Sequence, residues 1–244
     1  MWAIVTVPQR EQMADAIIAQ LREPVLKFVD TTGDIQANHI LAWTKLCEFE
    51  SPWVGVIQDD VILAPDFNLQ AQSRINEADA LGYRALSFYN HSHTDGYLET
   101  VSERWKRVDL TLIPGIRRNS AGDLRIKSAL PGEQCVLMRR EIALQYQQFA
   151  RDHADLYRVF PDVHDGLLGL FLNKTIGQHD DIHAIPMSHV YIAVPHLLDH
   201  RTDVPSCFPT HNALRSSSSF SVRYHGSSPK CPSTKSSSLR SYRA

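Results

Sequence analysis

The chain has 244 residues, 43% of them hydrophobic and 21% charged, a balance that excludes fibrous and wholly disordered classes, and no run of about 18 apolar residues offers a bilayer span. Four scattered cysteines (Cys47, Cys135, Cys207, Cys231) form no CxxC pair, which argues against a zinc site or a disulfide framework and for reduced thiols in a cytoplasm. The net charge of −2 is split unevenly: residues 215–244 hold six of the 25 Lys/Arg and none of the 27 Asp/Glu, leaving a body near −8 and a tail of +6.

The first residues, MWAIVTVPQR, lack the basic start and long apolar core of a signal peptide and read as a buried strand, AIVTVP, stopped at Pro8. Residues 10–22 set Met13, Ile17 and Leu21 four apart, the spacing of one helix face. PVLKFVD (24–30) is a second strand, closed by the turn-like TTGD. Helical spacing returns over 35–49 through Ile40, Leu41 and Leu46, and WVGVI (53–57) is a third strand. Strand–helix–strand–helix–strand within 60 residues predicts a parallel, doubly wound α/β sheet.

Further along, RALSFY (84–89), WKRVDLTLI (105–113), QCVLMRR (134–140) and HAIPMSHVYIAV (183–194) read as strands. EIALQYQQFARDHAD and DGLLGLFLNKTIG (165–177) read as helices. The expected organisation is one domain over 1–212, followed by a Ser-rich basic tail over 213–244. Twelve serines and few large apolar groups in residues 215–244 give that tail little to bury, so it is expected to be disordered. A solubilising tail and a contact for an anionic partner are its two readings.

In parallel α/β sheets ligands bind beyond the carboxyl ends of the strands. Three strands here end in polar residues: Thr6 to Arg10, Asp30 to Asp34, and Gln58-Asp59-Asp60. A carboxylate after strand two suits a ribose hydroxyl or a base N–H. Two adjacent carboxylates between apolar flanks, WVGVIQDDVILAPDF, suit a hard divalent cation that neutralises a diphosphate; a helix cap or solvated turn is the plainer alternative.

VPQR after strand one, Asp after strand two, QAN on the next helix and WVGVIQDDVILAPDF together resemble a nucleotide-sugar glycosyltransferase of the GT-A fold. The acidic doublet resembles that superfamily's DxD-type element. VYIAVPHLLDHRTDVPS resembles a segment near the end of several bacterial and bacteriophage members. The resemblance implies a GT-A-like, Rossmann-like, mostly parallel central sheet with helices on both faces. It also implies a UDP-sugar or similar nucleotide-diphosphate sugar donor with Mn2+ or Mg2+.

By position, the resemblance makes Asp60 the metal-ligating carboxylate, Asp59 its neighbour facing ribose or sugar, and His200 the late metal or diphosphate ligand. His196 stands where a small Ser is commoner and is the second choice for that role. Thr6, Pro8, Arg10 and Asp30 would line the nucleoside pocket, with Asn38 nearby. In FPDVHDGLLGLFL, Asp165 is the first candidate general base and Asp162 the second; either also suits a helix N-cap. The loop ALPGEQCVLMRRE nominates Gly132, Glu133 and Gln134 for contacts with donor sugar and acceptor.

Two other clusters have plainer readings. QHDDIH (178–183) could ligate a metal or be a solvated loop, and IRRNSAGDLRIK (116–127) could clamp a diphosphate or a nucleic-acid backbone, or be a surface hairpin. The leading expectation is a cytoplasmic, metal-dependent glycosyltransferase, in a host cytoplasm if phage-encoded. Its acceptor would be a hydroxymethylated pyrimidine in phage DNA, or else a saccharide or protein. A nucleotidyltransferase is the same-chemistry alternative, although VPQREQ lacks the glycines such enzymes bring after strand one. A non-catalytic sugar- or nucleic-acid-binding protein is the alternative from another class.

Overall fold

The computed structural model describes residues 1–89, 98–109, 117–118, 124–125, 134–153, 167–168, 171–172 and 187–201. The chain opens with β1 (Trp2–Thr6), a short 3-10 turn (Pro8–Arg10), α1 (Glu11–Gln20), β2 (Val25–Val29), α2 (Ile35–Leu46) and β3 (Trp53–Gln58). This is the alternation the apolar runs and helical spacing predict. α2 starts cleanly because the Asp34 carboxylate accepts from the Ala37 N–H at 2.9 Å, satisfying one of the donors a helix start exposes.

Beyond β3 come β4 (Val61–Leu63), α3 (Phe67–Leu81), β5 (Ala85–Ser87), β6 (Leu98–Ser102) and β7 (Trp105–Asp109). The two-residue strands β8 (Arg117–Arg118) and β9 (Leu124–Arg125) pair antiparallel, so a hairpin ladder does form inside IRRNSAGDLRIK. β10 (Cys135–Arg139), α4 (Arg140–Asp152), β11 (Met187–Ala193) and β12 (Leu198–His200) complete the described elements.

Eight strands form one sheet in the order β2-β1-β3-β10-β5-β11-β7-β6. The expectation of a mostly parallel sheet needs correcting. Its described pairings are three parallel (β1 with β2 and β3, β5 with β11) and four antiparallel, because β10 and β7 run against their neighbours. Strand direction leaves no mark on an apolar run buried on both faces, so periodicity alone cannot show the reversal of β10.

Two cores flank this sheet, as the period-2 alternation of strand side chains requires. Trp2, Ile4, Trp53, Ile57, Leu86 and Leu137 meet α1 and α3 on one face. Ala3, Val5, Val54, Val56, Val136 and Met138 meet α2 and α4 on the other, where Trp43 and Tyr146 pack edge to face at 6.4 Å. The chain is thus an α/β unit with helices on both faces of a mixed sheet. Among the described residues no helix is long and apolar enough to cross a membrane. Cys47 and Cys135 are free, buried thiols.

α3 is not announced by the sequence. Its buried stripe is Phe67, Ala71, Arg74 and Ala78, properly spaced for a helix but containing small residues and a cation rather than large aliphatics. It ends on Gly82 at φ 72°, a left-handed cap that favours glycine. Also unforeseen is a second, two-stranded sheet in which β12 pairs antiparallel with β4. The region 213–244 lies outside the described residues.

Candidate functional site

The carboxyl ends of β2, β1 and β3 lie side by side because these three strands are consecutive parallel neighbours. Val5 is in register with Gln58, so Thr6 falls beside Asp59, and its hydroxyl donates to Asp59 Oδ2 at 2.7 Å. After Thr6 the chain leaves the sheet through Pro8, whose fixed φ suits the first position of a helical turn. That turn closes with Arg10 N–H donating to the Val7 carbonyl at 2.9 Å.

The turn folds the Arg10 side chain back onto the doublet. One guanidinium nitrogen donates to Asp59 Oδ1 at 2.9 Å and to Asp60 Oδ2 at 3.2 Å. All three side chains are at most 9% exposed, so these are buried, charge-assisted contacts. Two carboxylates against one guanidinium leave the cluster with one net negative charge when all are ionised. Burial pushes the Asp59 carboxyl above its ordinary range; Thr6 and Arg10 pull it back, and the Asp60 charge adds to the rise.

Asp30 continues the row. Its N–H donates to the Thr6 carbonyl at 2.8 Å, extending the β1–β2 ladder by one residue. Asp30 Oδ1 accepts from Thr32 N–H at 2.8 Å, the Thr32 hydroxyl at 2.9 Å and Gly33 N–H at 2.9 Å, with Gly33 at φ 79°. This is an aspartate-centred turn of the kind that favours Asp and Gly. Asp30 Oδ2 is buried and has no hydrogen-bond partner among the described residues. On the opposite side of β3, the Gln134 carbonyl accepts from Gln58 N–H at 2.9 Å. Because β10 is reversed, its first residues reach the same edge as the ends of β1 and β3.

The late segment arrives through the small sheet. His200 is in register with Val61, Asp199 with Ile62 and Leu198 with Leu63, and Arg201 N–H donates to the Asp60 carbonyl at 2.7 Å. Leu197 bridges the two sheets, donating to the Phe88 carbonyl at 3.0 Å and accepting from Ala64 N–H at 2.9 Å. The rings of Tyr89 and His196 lie 6.1 Å apart. Burial first, then the negative charges of Asp199 and Asp60, push the Tyr89 phenol far above its ordinary range, so it stays a hydroxyl donor.

Thr6, Arg10, Asp30, Asp59, Asp60 and Gln134 are therefore all buried along one sheet edge. The backbone of His200 is brought to the same doublet, while its side chain lies outside the described residues. Pro8 is exposed and serves the turn. Asn38 donates its amide to the Phe28 carbonyl at 3.2 Å, tying α2 to β2. Asp162, Asp165, Gly132, Glu133 and the QHDDIH cluster lie outside the described residues. Tyr89 and Asp199 also lie at this site, outside the residues the motifs nominate. Their signal was position: Tyr89 closes a predicted strand, and Asp199 adjoins the nominated His200.

Both carboxylates offer the hard oxygens a divalent metal takes, and both accept from Arg10; Asp60 is the one whose backbone adjoins the late segment at residues 200 and 201. Among the described residues no three His, Cys, Asp or Glu side chains converge on one point. Compared with models of known protein families and with curated proteins, the chain matches none.

Proposed function

We propose that the chain is a GT-A-fold glycosyltransferase that moves a sugar from a nucleotide-diphosphate sugar, a UDP-sugar first among donors, to a hydroxyl acceptor. The observation that carries this reading is the row of Asp30, Thr6, Arg10, Asp59 and Asp60 along the ends of three parallel strands. That edge is where α/β sheets bind nucleotides, and the row adds oxygen acceptors for ribose to a cation for phosphate.

In this reading Asp30 presents its second oxygen to a ribose hydroxyl or a base N–H. Arg10 supplies a guanidinium whose fork matches phosphate oxygens. Asp60, with His200, would hold Mn2+ or Mg2+, which when bound neutralises charge on the leaving diphosphate. Asp59 holds Arg10 and Thr6 in place, a different role from facing the sugar. Gly132, Glu133 and Gln134 are proposed to contact donor sugar and acceptor, and Asp165, or Asp162, to take the acceptor proton.

The acceptor reading comes from the resemblance of the tail and of PHLLDHRTDVPS to phage-encoded members; the +6 tail suits a polyanion such as hydroxymethylated phage DNA, the acidic body does not favour one, and a saccharide or protein hydroxyl is the competing acceptor. The test is a panel of nucleotide sugars with Mn2+, with and without hydroxymethylated DNA, read by mass spectrometry of released nucleotide and product. Turnover abolished in Asp60→Ala supports the reading. Nucleotide binding that ignores metal, with no turnover on any acceptor, overturns it in favour of a binding protein.

A further inference from the structure

We propose that Arg10 is the site's own exchangeable counter-cation: it occupies the acidic doublet until a diphosphate draws it away, so that Arg10 and a divalent metal compete for Asp60. The inference rests on the glycosyltransferase reading for the identity of the ligand, and on the geometry for the competition.

A single guanidinium nitrogen bridges Asp59 Oδ1 at 2.9 Å and Asp60 Oδ2 at 3.2 Å, inside a pocket of side chains at most 9% exposed. Two adjacent carboxylates so far from water need positive charge nearby, and Arg10 supplies it at both. A divalent cation arriving at Asp60 would stand within a few ångströms of the guanidinium. Low local dielectric makes such like-charge proximity strongly unfavourable. With Arg10 in place, a metal at Asp60 meets a like charge on the same carboxylate, so the two cations disfavour each other there.

Arg10 ends a three-residue turn outside the sheet, whereas Asp59 and Asp60 lie between β3 and β4. Asp59 keeps Thr6 as a partner throughout, so the doublet retains its position during the exchange. A diphosphate carries the oxygens that match a guanidinium fork, so ligand and metal together replace the carboxylates Arg10 gives up.

The test is Mn2+ binding, read by electron paramagnetic resonance and calorimetry without any turnover, on wild type, Arg10→Gln, Arg10→Lys and Asp60→Asn. Asp60→Asn is expected to abolish the site. Arg10→Gln, which removes the competing cation, is expected to bind Mn2+ about tenfold or more tightly than wild type in the absence of nucleotide. Arg10→Lys, which keeps the charge, should stay close to wild type. Weaker or unchanged Mn2+ affinity in Arg10→Gln overturns the proposal.

Because losing a buried partner can unfold a chain, a variant-free arm accompanies these: the Arg10 guanidinium NMR signal of the wild type during titration with Mg2+ plus UDP. A large shift is expected, and an unmoved signal while UDP binds overturns the exchange. If UDP does not bind at all, the glycosyltransferase reading fails instead, so the two failures are separable.

Discussion

Arg10 and Asp59 form a buried ion pair at 2.9 Å that joins the turn after β1 to the tip of β3. Desolvation outweighs this partner, because the Asp59 carboxyl sits above its ordinary value of 3.8 despite Arg10 and Thr6. A group whose folded value is raised favours folding below the unfolded value, and that contribution is lost as pH rises through the folded value. Unfolding free energies of wild type minus Asp59→Asn, measured by urea titration at a series of pH values, should therefore fall as pH rises from just under 3.8, then level off. A difference that is flat across this range would show that Asp59 titrates normally.

Gly55, inside β3, faces a second constraint. A Cβ built there would lie 2.4 Å and 2.7 Å from two ring carbons of Trp2 and 3.0 Å from Leu137. Trp2 is held in the core between Phe67 and Phe88, with ring centroids at 5.7 and 6.3 Å, so it has little room to retreat. Gly55→Ala should destabilise the chain by about 1–3 kcal/mol through overpacking. Chemical denaturation checks this, and a double variant with a smaller residue at Trp2 should show coupling between the two positions.

What could be read from the sequence follows from what each residue pattern encodes. β1, β2 and β3 are legible because short, mostly apolar, β-branched-rich runs end at Pro8, at TTGD and at the Asp doublet. The edge position of Asp30, Asp59 and Asp60 followed from those endings. That the Arg10 side chain lies on the doublet depends on a 3-10 turn that three residues do not announce. α3 was invisible because Arg74 interrupts its apolar stripe. The β4–β12 pairing joins residues some 140 apart in sequence, and three-residue strands carry too little periodicity to reveal it.

Arg74 itself predicts a connection between α3 and the late segment. Its guanidinium donates to the Val194 carbonyl, pairs with Glu77 at 3.5 Å and lies over the Trp105 ring at 5.6 Å. Burial, then the Arg104 charge, lowers its pKa, with Glu77 opposing. Arg74→Met keeps most of the volume but strips the Val194 carbonyl of this donor, at a cost of about 2–4 kcal/mol. Hydrogen exchange should then quicken at Leu197 and Arg201, whose amides follow Val194 into the small sheet, before it quickens at Val56 in the central one. Uniform acceleration across both sheets would mean that Arg74 supports the whole fold rather than this segment.

Asp30 separates a structural role from a binding one. Oδ1 closes the turn through Thr32 and Gly33, while Oδ2 is the buried acceptor with no described partner. Asp30→Asn retains an oxygen for the turn and replaces the second acceptor with a donor, so its thermal stability should stay near that of wild type. Asp30→Ala removes both and should cost about 1–3 kcal/mol by leaving the turn donors unmet. If Oδ2 receives a ribose hydroxyl or a base N–H, Asp30→Asn alone should weaken UDP binding about tenfold, the equivalent of one charge-assisted hydrogen bond. Calorimetric titration of UDP into the two variants decides it. Undiminished affinity in Asp30→Asn would leave Asp30 as a turn residue and move the nucleoside elsewhere along the edge.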